Sequence, residues 1–420
     1  MSEGIHGGTS VGADDGVSSG VGGGANVTAR GDASADTRTD NGGDPQAFVD
    51  AIETWAEKEL RPVARKFDLA DEYPHDIVEQ MKSLGLFGAT IGEAYGGLGL
   101  SAWTYAQIVI KVSAIWMAPS GIFNSHLIVA AAIERFGTED QKRRYLPRMA
   151  TGELRASIGL TEPNAGSDLQ AIRTRAKLDG DDYVVTGGKM WITNSLHGHF
   201  TLLLVKTDPD AQPRHKGMSL LIAEKGPGYN VVGKIQKMGY RAIDTCELHF
   251  DNYRVPKSNL LGGVEGQGFA QTAGGLELGR INVGARGAGI AEGALKMALR
   301  YAQERCAFGK PICQHQAIQL KLADMVTMVE GAKGLLERAA RKYDAGERCD
   351  LEAAVAKLAG SEAGAHCAQE AMRIFGGYSY AVEYEIERFY RDAMLMCIGE
   401  GANEVLRQVI AKPLVERHRI

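Results

Sequence analysis

Only six of the 420 residues are cysteine, and none forms a C-x-x-C pair or stands near histidines at zinc-ligand spacing. That excludes a disulfide framework and a zinc module. Cys246, Cys306, Cys313, Cys349, Cys367 and Cys397 therefore read as reduced thiols of a cytoplasmic protein, and no metal is expected. Long apolar runs are absent too: LIVAAAI and FTLLLV are far too short to span a bilayer, so no membrane role is expected. The start of the chain has neither a basic stretch nor an apolar one, which argues against a signal peptide. Basic residues are scattered and the net charge is -5, which excludes a nucleic-acid surface. Two loose G-x-G-x-x-G/A matches, GVGGGA and GLGLSA (97–102), lack the strand–turn–helix context of a Rossmann dinucleotide site. Residues 1–44 lack large apolar side chains and are crowded with Gly, Ser, Thr, Ala and Asp. Such a segment cannot offset chain entropy by burial and is expected to be a disordered tail.

What is present begins at Pro45. AFVDAIETWAEKELRPVARKFD repeats apolar residues at helical spacing until Pro62, and further amphipathic runs follow. Thr138 is placed to cap a helix that stops near Pro147. Beyond Ser157 the period becomes two: YVVTGGKMWITNS, FTLLLVKT, GMSLLIAEK, YNVVGKIQKM and TCELHFDNYRVP read as strands of a compact barrel or sandwich. Near Gly262 the pattern returns to helices rich in Ala and Gly, whose small residues permit close helix–helix approach. The expected fold class is α+β. An N-terminal all-α domain spans 45–157, a central β-barrel or sandwich domain 158–261, and a C-terminal four-helix bundle 262–420.

Five stretches carry chemical interest, each beside a plainer reading. IGEGANEVLR sets Glu400 between Gly399 and Gly401 after the apolar run AMLMCI. Burial there would raise a carboxylate towards a useful proton acceptor. The plainer reading is an acid at a helix start, with Asn403 and Glu404 as local caps. LTEPNAGSD (160–168) offers hydroxyls from Thr161 and Ser167 and turns at Asn164 and Gly166, suited to a polar ring edge or a pyrophosphate, or to an ordinary hairpin loop. KMWITNS places Trp191 and Thr193 on one strand face, a plane and a donor for a flat heterocycle, although a strand Trp also serves as core. RCAFGKPICQHQAI combines Arg305, Phe308 and Gln316 in what is otherwise a helix joint. RIFGGYSY ends a helix at paired glycines that also allow a ligand to approach the main chain.

Together with YGGLGL, FGTEDQKRRYLP and RVPKSNLLG, these motifs occur in the order typical of the acyl-CoA dehydrogenase family, which the chain resembles from about Pro45 to its end. The resemblance implies a homotetramer that binds FAD, acts on an acyl-CoA and delivers electrons to an electron-transfer flavoprotein. It implies that Leu160, Thr161, Gly166 and Ser167 line the flavin and its phosphates, with Trp191 and Thr193 beside the ring system. Arg305, Phe308, Gln316, Arg373, Gly376 and Gly377 would reach the FAD of a neighbouring subunit, and Ala402 and Glu404 would lie against the cofactor. Ser167, Glu277, Arg280 and Gly401 match positions near the CoA thioester or its arm, and Glu400 matches the catalytic base.

The chain departs from the family pattern at Ala402, where Thr is common, at Arg373, where Gln is frequent, and at Ser379, where many members have Gly. Some members carry the base just before the Arg matched by Arg280; here that residue is Gly279, which leaves Glu400. The implied reaction removes the α-proton and β-hydride of a thioester to give a trans-2-enoyl-CoA. Trp103 and Tyr105 suggest short or branched acyl groups, or else simply fill a core. An oxygen-using oxidase or monooxygenase on the same fold, and a flavin-containing scaffold without turnover, are the alternatives.

Overall fold

The computed structural model describes residues 44–418. The expected tail lies outside them except for Asp44, whose carboxylate accepts the Gln46 N–H and caps the first helix. That helix, α1 (Pro45–Trp55), passes through a π-helical turn (Ala56–Leu60) into α2 (Arg61–Ala70). The helical path therefore does not end at Pro62. The wider π turn just ahead relieves the clash its ring makes in a regular helix, and Pro62 falls in the first turn of α2.

Next come α3 (His75–Ser83), α4 (Ala102–Ser113), α5 (Met117–Phe136) and α6 (Glu139–Ala150). Thr138 caps α6 as expected, in a reciprocal box with Gln141. The helix nevertheless continues past Pro147 to Ala150, because Leu146, Met149 and Ala150 on either side of it are buried. Their burial outweighs the one hydrogen bond lost.

The central β domain is one seven-stranded sheet. Its strands are β1 (Ala156–Gly159), β2 (Arg175–Asp179), β3 (Asp182–Thr193), β4 (Phe200–Lys206), β5 (Met218–Glu224), β6 (Tyr229–Lys234) and β7 (Thr245–Pro256). They run in the order β1-β4-β2-β3-β7-β6, with β5 on β4; β1–β4 and β2–β4 are parallel and the other pairs antiparallel. β4 and β5 read as continuous apolar runs because both faces are covered, with α7 packing on each. β7 alternates buried and exposed residues, as a half-covered strand should.

The remainder is helical: α7 (Gly268–Glu304), a short hairpin of β8 (Cys306–Ala307) and β9 (Lys310–Pro311), then α8 (Gln316–Asp344), α9 (Asp350–Phe375), α10 (Ile386–Ile398) and α11 (Asn403–Arg417). Small residues bring α7 and α9 together backbone to backbone. A Cβ on Gly287 would sit 2.3 Å from the Gly360 carbonyl oxygen, and one on Gly360 would sit 2.2 Å from that of Gly284. One apolar cluster runs through the N-terminal helices and the bundle, and a second fills the sheet. The long helix α7, packed on α4, α5, α8 and α9, is the frame on which the site is built. No helix among the described residues is long and apolar enough to cross a membrane.

Candidate active site

Four residues connect α10 to α11, and Glu400 is the second of them, held at φ +53. A non-glycine residue in the left-handed region costs about 1–3 kcal/mol, so the surroundings must impose it. Lys357 of α9 does so. Its side chain is fully buried, and Nζ donates to the Gly401 carbonyl (2.9 Å) and to Asn403 Oδ1 (2.8 Å). Ser361 Oγ donates to the same Oδ1 at 3.1 Å, and Asn403 Nδ2 donates to Glu362 at 3.0 Å. Asn403 is thus a pin to α9 rather than a cap, and α11 has no side-chain cap. Burial pushes the Lys357 ammonium down to about 8, against the attraction of Cys397 and Glu400.

The Glu400 carboxylate is held from one side only. Oε1 accepts from Asn124 Nδ2 of α5 and from Arg286 Nη2 of α7, each at 3.2 Å. Oε2 is buried and has no partner. It lies against α7, 2.6 Å from where a Cβ on Gly279 would be. The side chain keeps 26% of its surface exposed, and since Oε2 is covered, that exposure lies elsewhere on it. Burial raises the Glu400 pKa, while Arg286, Asn124, Lys357 and Arg280 oppose the rise. The result is a carboxylate with one oxygen anchored, one oxygen free, and an increased affinity for a proton.

Of the other expected substrate residues, Arg280 and Gly401 lie near it. Arg280, the residue after Gly279, is largely buried with Nε lacking an acceptor among the described residues; burial lowers its pKa, with Asp350, Glu277 and Glu400 opposing. Glu277 lies 3.7 Å from Arg135, and burial raises its pKa. Gly401 turns at φ +98, directly after Glu400. Tyr105 is fully buried, and its hydroxyl accepts from Asn282 Nδ2 (2.8 Å) and donates to Asn124 Oδ1 (3.4 Å). It is therefore core and site wall at once, whereas Trp103 is a half-buried ring packed on the core.

The 160–168 loop is tied to β3 by a buried ion pair. Lys189 Nζ donates to the Leu160 carbonyl (3.0 Å) and to Glu162 (2.8 Å), while Glu162 also accepts the N–H groups of Arg173 and Thr174. Met190 N–H donates to the Thr161 carbonyl at 2.8 Å. Gly166 and Ser167 are exposed beyond this anchor, and neither Gly166 nor Asn164 uses a positive φ. A register shift between Lys189 and Ile192 puts Trp191 at φ +65. Its indole is turned outward and left 54% exposed, so Trp191 is not core. Ile192 points inward and Thr193 stands on the outer side with Trp191. Asn194 then donates to the Ile122 carbonyl at 2.7 Å, fastening the end of β3 to α5 two residues before Asn124. The loop, the exposed indole and Glu400 are thereby linked through α5.

A second group gathers at the far end of α7. Arg305, Gly376 and Gly377 line an open cavity of about 450 Å³ with Tyr301, Phe375 and Tyr378, and the Arg305 guanidinium lies 5.4 Å from the Tyr378 ring centroid. Phe308 (96% exposed), Gln316 and Arg373 lie outside this lining; Arg373 pairs with Glu370 at 2.6 Å. Ala402 occupies the N-cap position of α11, and Glu404 is exposed on its first turn.

Family models for the acyl-CoA dehydrogenase N-terminal, middle and C-terminal domains match residues 43–153, 157–253 and 266–415. The chain belongs to the acyl-CoA dehydrogenase family. It is 40% identical over 366 residues to an acyl-CoA dehydrogenase of Bacillus subtilis, covering 87% of this chain and 96% of that one. It is 39% identical over 377 residues to the (2S)-methylsuccinyl-CoA dehydrogenase of Cereibacter sphaeroides, covering 87% and 69%. The solved butyryl-CoA dehydrogenase of Megasphaera elsdenii superposes with a TM-score of 0.86 at 36% identity, covering 88% of this chain and 98% of that one. The protein is accordingly an oxidoreductase acting on a CH–CH bond, with the flavin-binding fold of the family.

Several residues that matter to the site were not singled out from the sequence: Asn124, Glu162, Lys189, Arg286 and Lys357. A signal existed for two of them. Arg286 in VGARGAGIA and Lys357 in AAVAKLAG are lone charged residues in helical stretches otherwise small or apolar. Such residues are rarely fully buried unless paired.

Proposed function

We propose that this enzyme performs the α,β-dehydrogenation of an acyl-CoA thioester with Glu400 as the base, bound FAD as cofactor, and an electron-transfer flavoprotein as acceptor. The observation that carries the base assignment is the asymmetric grip on Glu400: Asn124 and Arg286 hold Oε1, and Oε2 is buried and free. An α-proton needs a desolvated acceptor: burial raises the proton affinity of Glu400, and Arg286 and Asn124 favour its ionised form. Gly279 leaves the room on α7 that the free oxygen occupies.

The residues present suit a flavin. The outward Trp191 indole beside Thr193 offers a stacking plane and a hydroxyl, and the 160–168 loop, anchored to the same strand, leaves Gly166 and Ser167 exposed. Bound FAD would supply the hydride acceptor; the protein supplies position, exclusion of water and the proton acceptor. Arg305, Gly376 and Gly377 would hold the adenine-nucleotide part of a neighbouring subunit's FAD in a homotetramer, with Phe308, Gln316 and Arg373 covered by that neighbour. The exposure of Phe308 and the open cavity support this reading. Ser167, Glu277, Arg280 and Gly401 would meet the CoA thioester or its arm, and Ala402 and Glu404 would lie against the cofactor. Domain limits at 45–157, 158–261 and 262–420, and a cytoplasmic location, belong to the same proposal.

The test is Glu400→Gln. The variant should keep the flavin absorbance of the wild type and lose its bleaching by acyl-CoA by a factor on the order of 10⁴ or more. Bleaching at a near-native rate would assign the base elsewhere.

A further inference from the structure

Arg286 is a buried guanidinium, its side chain 5% exposed. Among the described residues, Glu400 is the carboxylate within ion-pair distance of it, at 3.2 Å. Nη1 donates to the Tyr240 hydroxyl at 3.4 Å, the guanidinium lies 5.9 Å from the Tyr240 ring centroid, and Nε is buried without an acceptor. In the reaction the α C–H bond breaks and an O–H bond forms at Glu400. The carboxylate becomes a neutral acid, and Arg286 then faces it as a buried cation without a counter-ion. The C–H electron pair goes into the new C=C bond, and the negative charge would leave with the β-hydride to bound flavin. An anion lying against Arg286 itself would therefore keep that cation paired throughout.

The position of Arg286 says where that anion would come from. Gly279, Asn282 and Arg286 follow one another at i, i+3 and i+7, a single stripe of α7 about 10 Å long. Gly279 borders the free Oε2, and Arg286 reaches Oε1. The same wall carries Asn282, Tyr105, Asn124 and Tyr240, joined by hydrogen bonds from α4, α5, α7 and the β6–β7 connection. These side chains are buried and hydrogen-bonded to one another, and the donor left without a partner among them is Arg286 Nε.

We propose that the acyl group carries a second carboxylate, which Arg286 receives with its free Nε–H and the Tyr240 hydroxyl beside it. Because Arg286 also touches Glu400, that carboxylate lies only a few bonds from the α carbon, as in a four- or five-carbon dicarboxylic acyl-CoA. The proposal rests on the dehydrogenase reading above and names its substrate class. The relatives leave the matter open, since one is named for methylsuccinyl-CoA and another for butyryl-CoA at similar identity. Arg286 decides between them.

The experiment compares glutaryl-CoA and methylsuccinyl-CoA with butyryl-CoA and valeryl-CoA on the flavin-loaded enzyme, by flavin bleaching and by kcat/KM with an artificial electron acceptor. The wild type should favour the better carboxylated thioester on the order of 100-fold, and Arg286→Gln should collapse that ratio. Equal or better turnover of the uncharged thioesters overturns the proposal and leaves the dehydrogenase reading standing. An unchanged ratio in Arg286→Gln also overturns it, because the residue would then act only by positioning Glu400. Bleaching by none of the four also overturns the proposal, and bleaching by a longer acyl-CoA would then keep the dehydrogenase reading. Arg286 is buried and its variant can fail to fold, so the wild-type ratio is decisive by itself.

Discussion

Replacing Gly279 by alanine places one methyl group against the reacting oxygen. The added Cβ would lie 2.6 Å from Glu400 Oε2 and 3.2 Å from Ile128 Cδ1, and both distances are below ordinary contact at 3.4 Å. Glu400 must move its free oxygen by about 0.8 Å, and Ile128 must yield by a few tenths of an ångström. Oε2 is the far end of a flexible side chain, so relief is cheap in stability. Alanine is moreover worth up to about 1 kcal/mol over glycine within a helix. The two effects nearly offset, and the melting temperature should change by no more than a few degrees. Catalysis has no such tolerance: a base misplaced by about 1 Å costs on the order of 100-fold. Stopped-flow bleaching of the bound flavin by the best thioester should therefore slow by about that factor, with flavin content and fold intact. A rate within about threefold of wild type would refute the placement of Oε2 against α7, and with it the reasoning that the free oxygen is the working one.

Asn124→Ala removes a donor that stabilises the ionised form of Glu400, so the acidic limb of the kcat/KM profile should move to higher pH; a downward shift would contradict the bond to Oε1. Lys357→Met leaves the Gly401 carbonyl and Asn403 Oδ1 without their donor and should cost about 2–5 kcal/mol, measured by denaturant unfolding, while slowing bleaching through a loosened Glu400 connection. Since the folded Lys357 pKa is depressed to about 8 from 10.5, the unfolded chain binds more protons between those values. The wild type should thus gain stability relative to Lys357→Met as pH rises through that window, and a loss would reverse the assignment. Lys189→Met breaks the buried pair with Glu162 at a cost of about 3–5 kcal/mol and frees the 160–168 loop, so flavin content after dialysis should fall well before secondary structure does by circular dichroism.

Local order was open to the sequence because its causes are local. The Thr138–Gln141 box, the two-residue period of β7 and the small-residue helices of the bundle each follow from neighbours within a few positions. The interruption expected at Pro62 is a π turn just upstream rather than a break, and the stop expected near Pro147 does not occur, for the complementary reason. A π turn just upstream and burial on both sides of a residue are tertiary accommodations that a breaker rule does not contain.

The same division runs through the site. The sequence alone determined that Glu400 stands between glycines at a helix junction, that Gly279 holds no competing carboxylate, and that the motifs occur in the family's order. Tertiary structure alone decided which Glu400 oxygen is free, since Asn124 and Arg286 lie 276 and 114 residues from it in the chain. It also decided that Trp191 faces outward, because a bulge formed by pairing with β7 sets its φ. Lys357 and Arg286 stand out in the sequence as lone charges, but the groups they hold, 44 and 114 residues away, are named only once α9 and α7 are packed. Desolvation and hydrogen bonding act over a few ångströms of space, whatever the separation along the chain, and so the chemistry of Glu400 is a property of the packed helices around it.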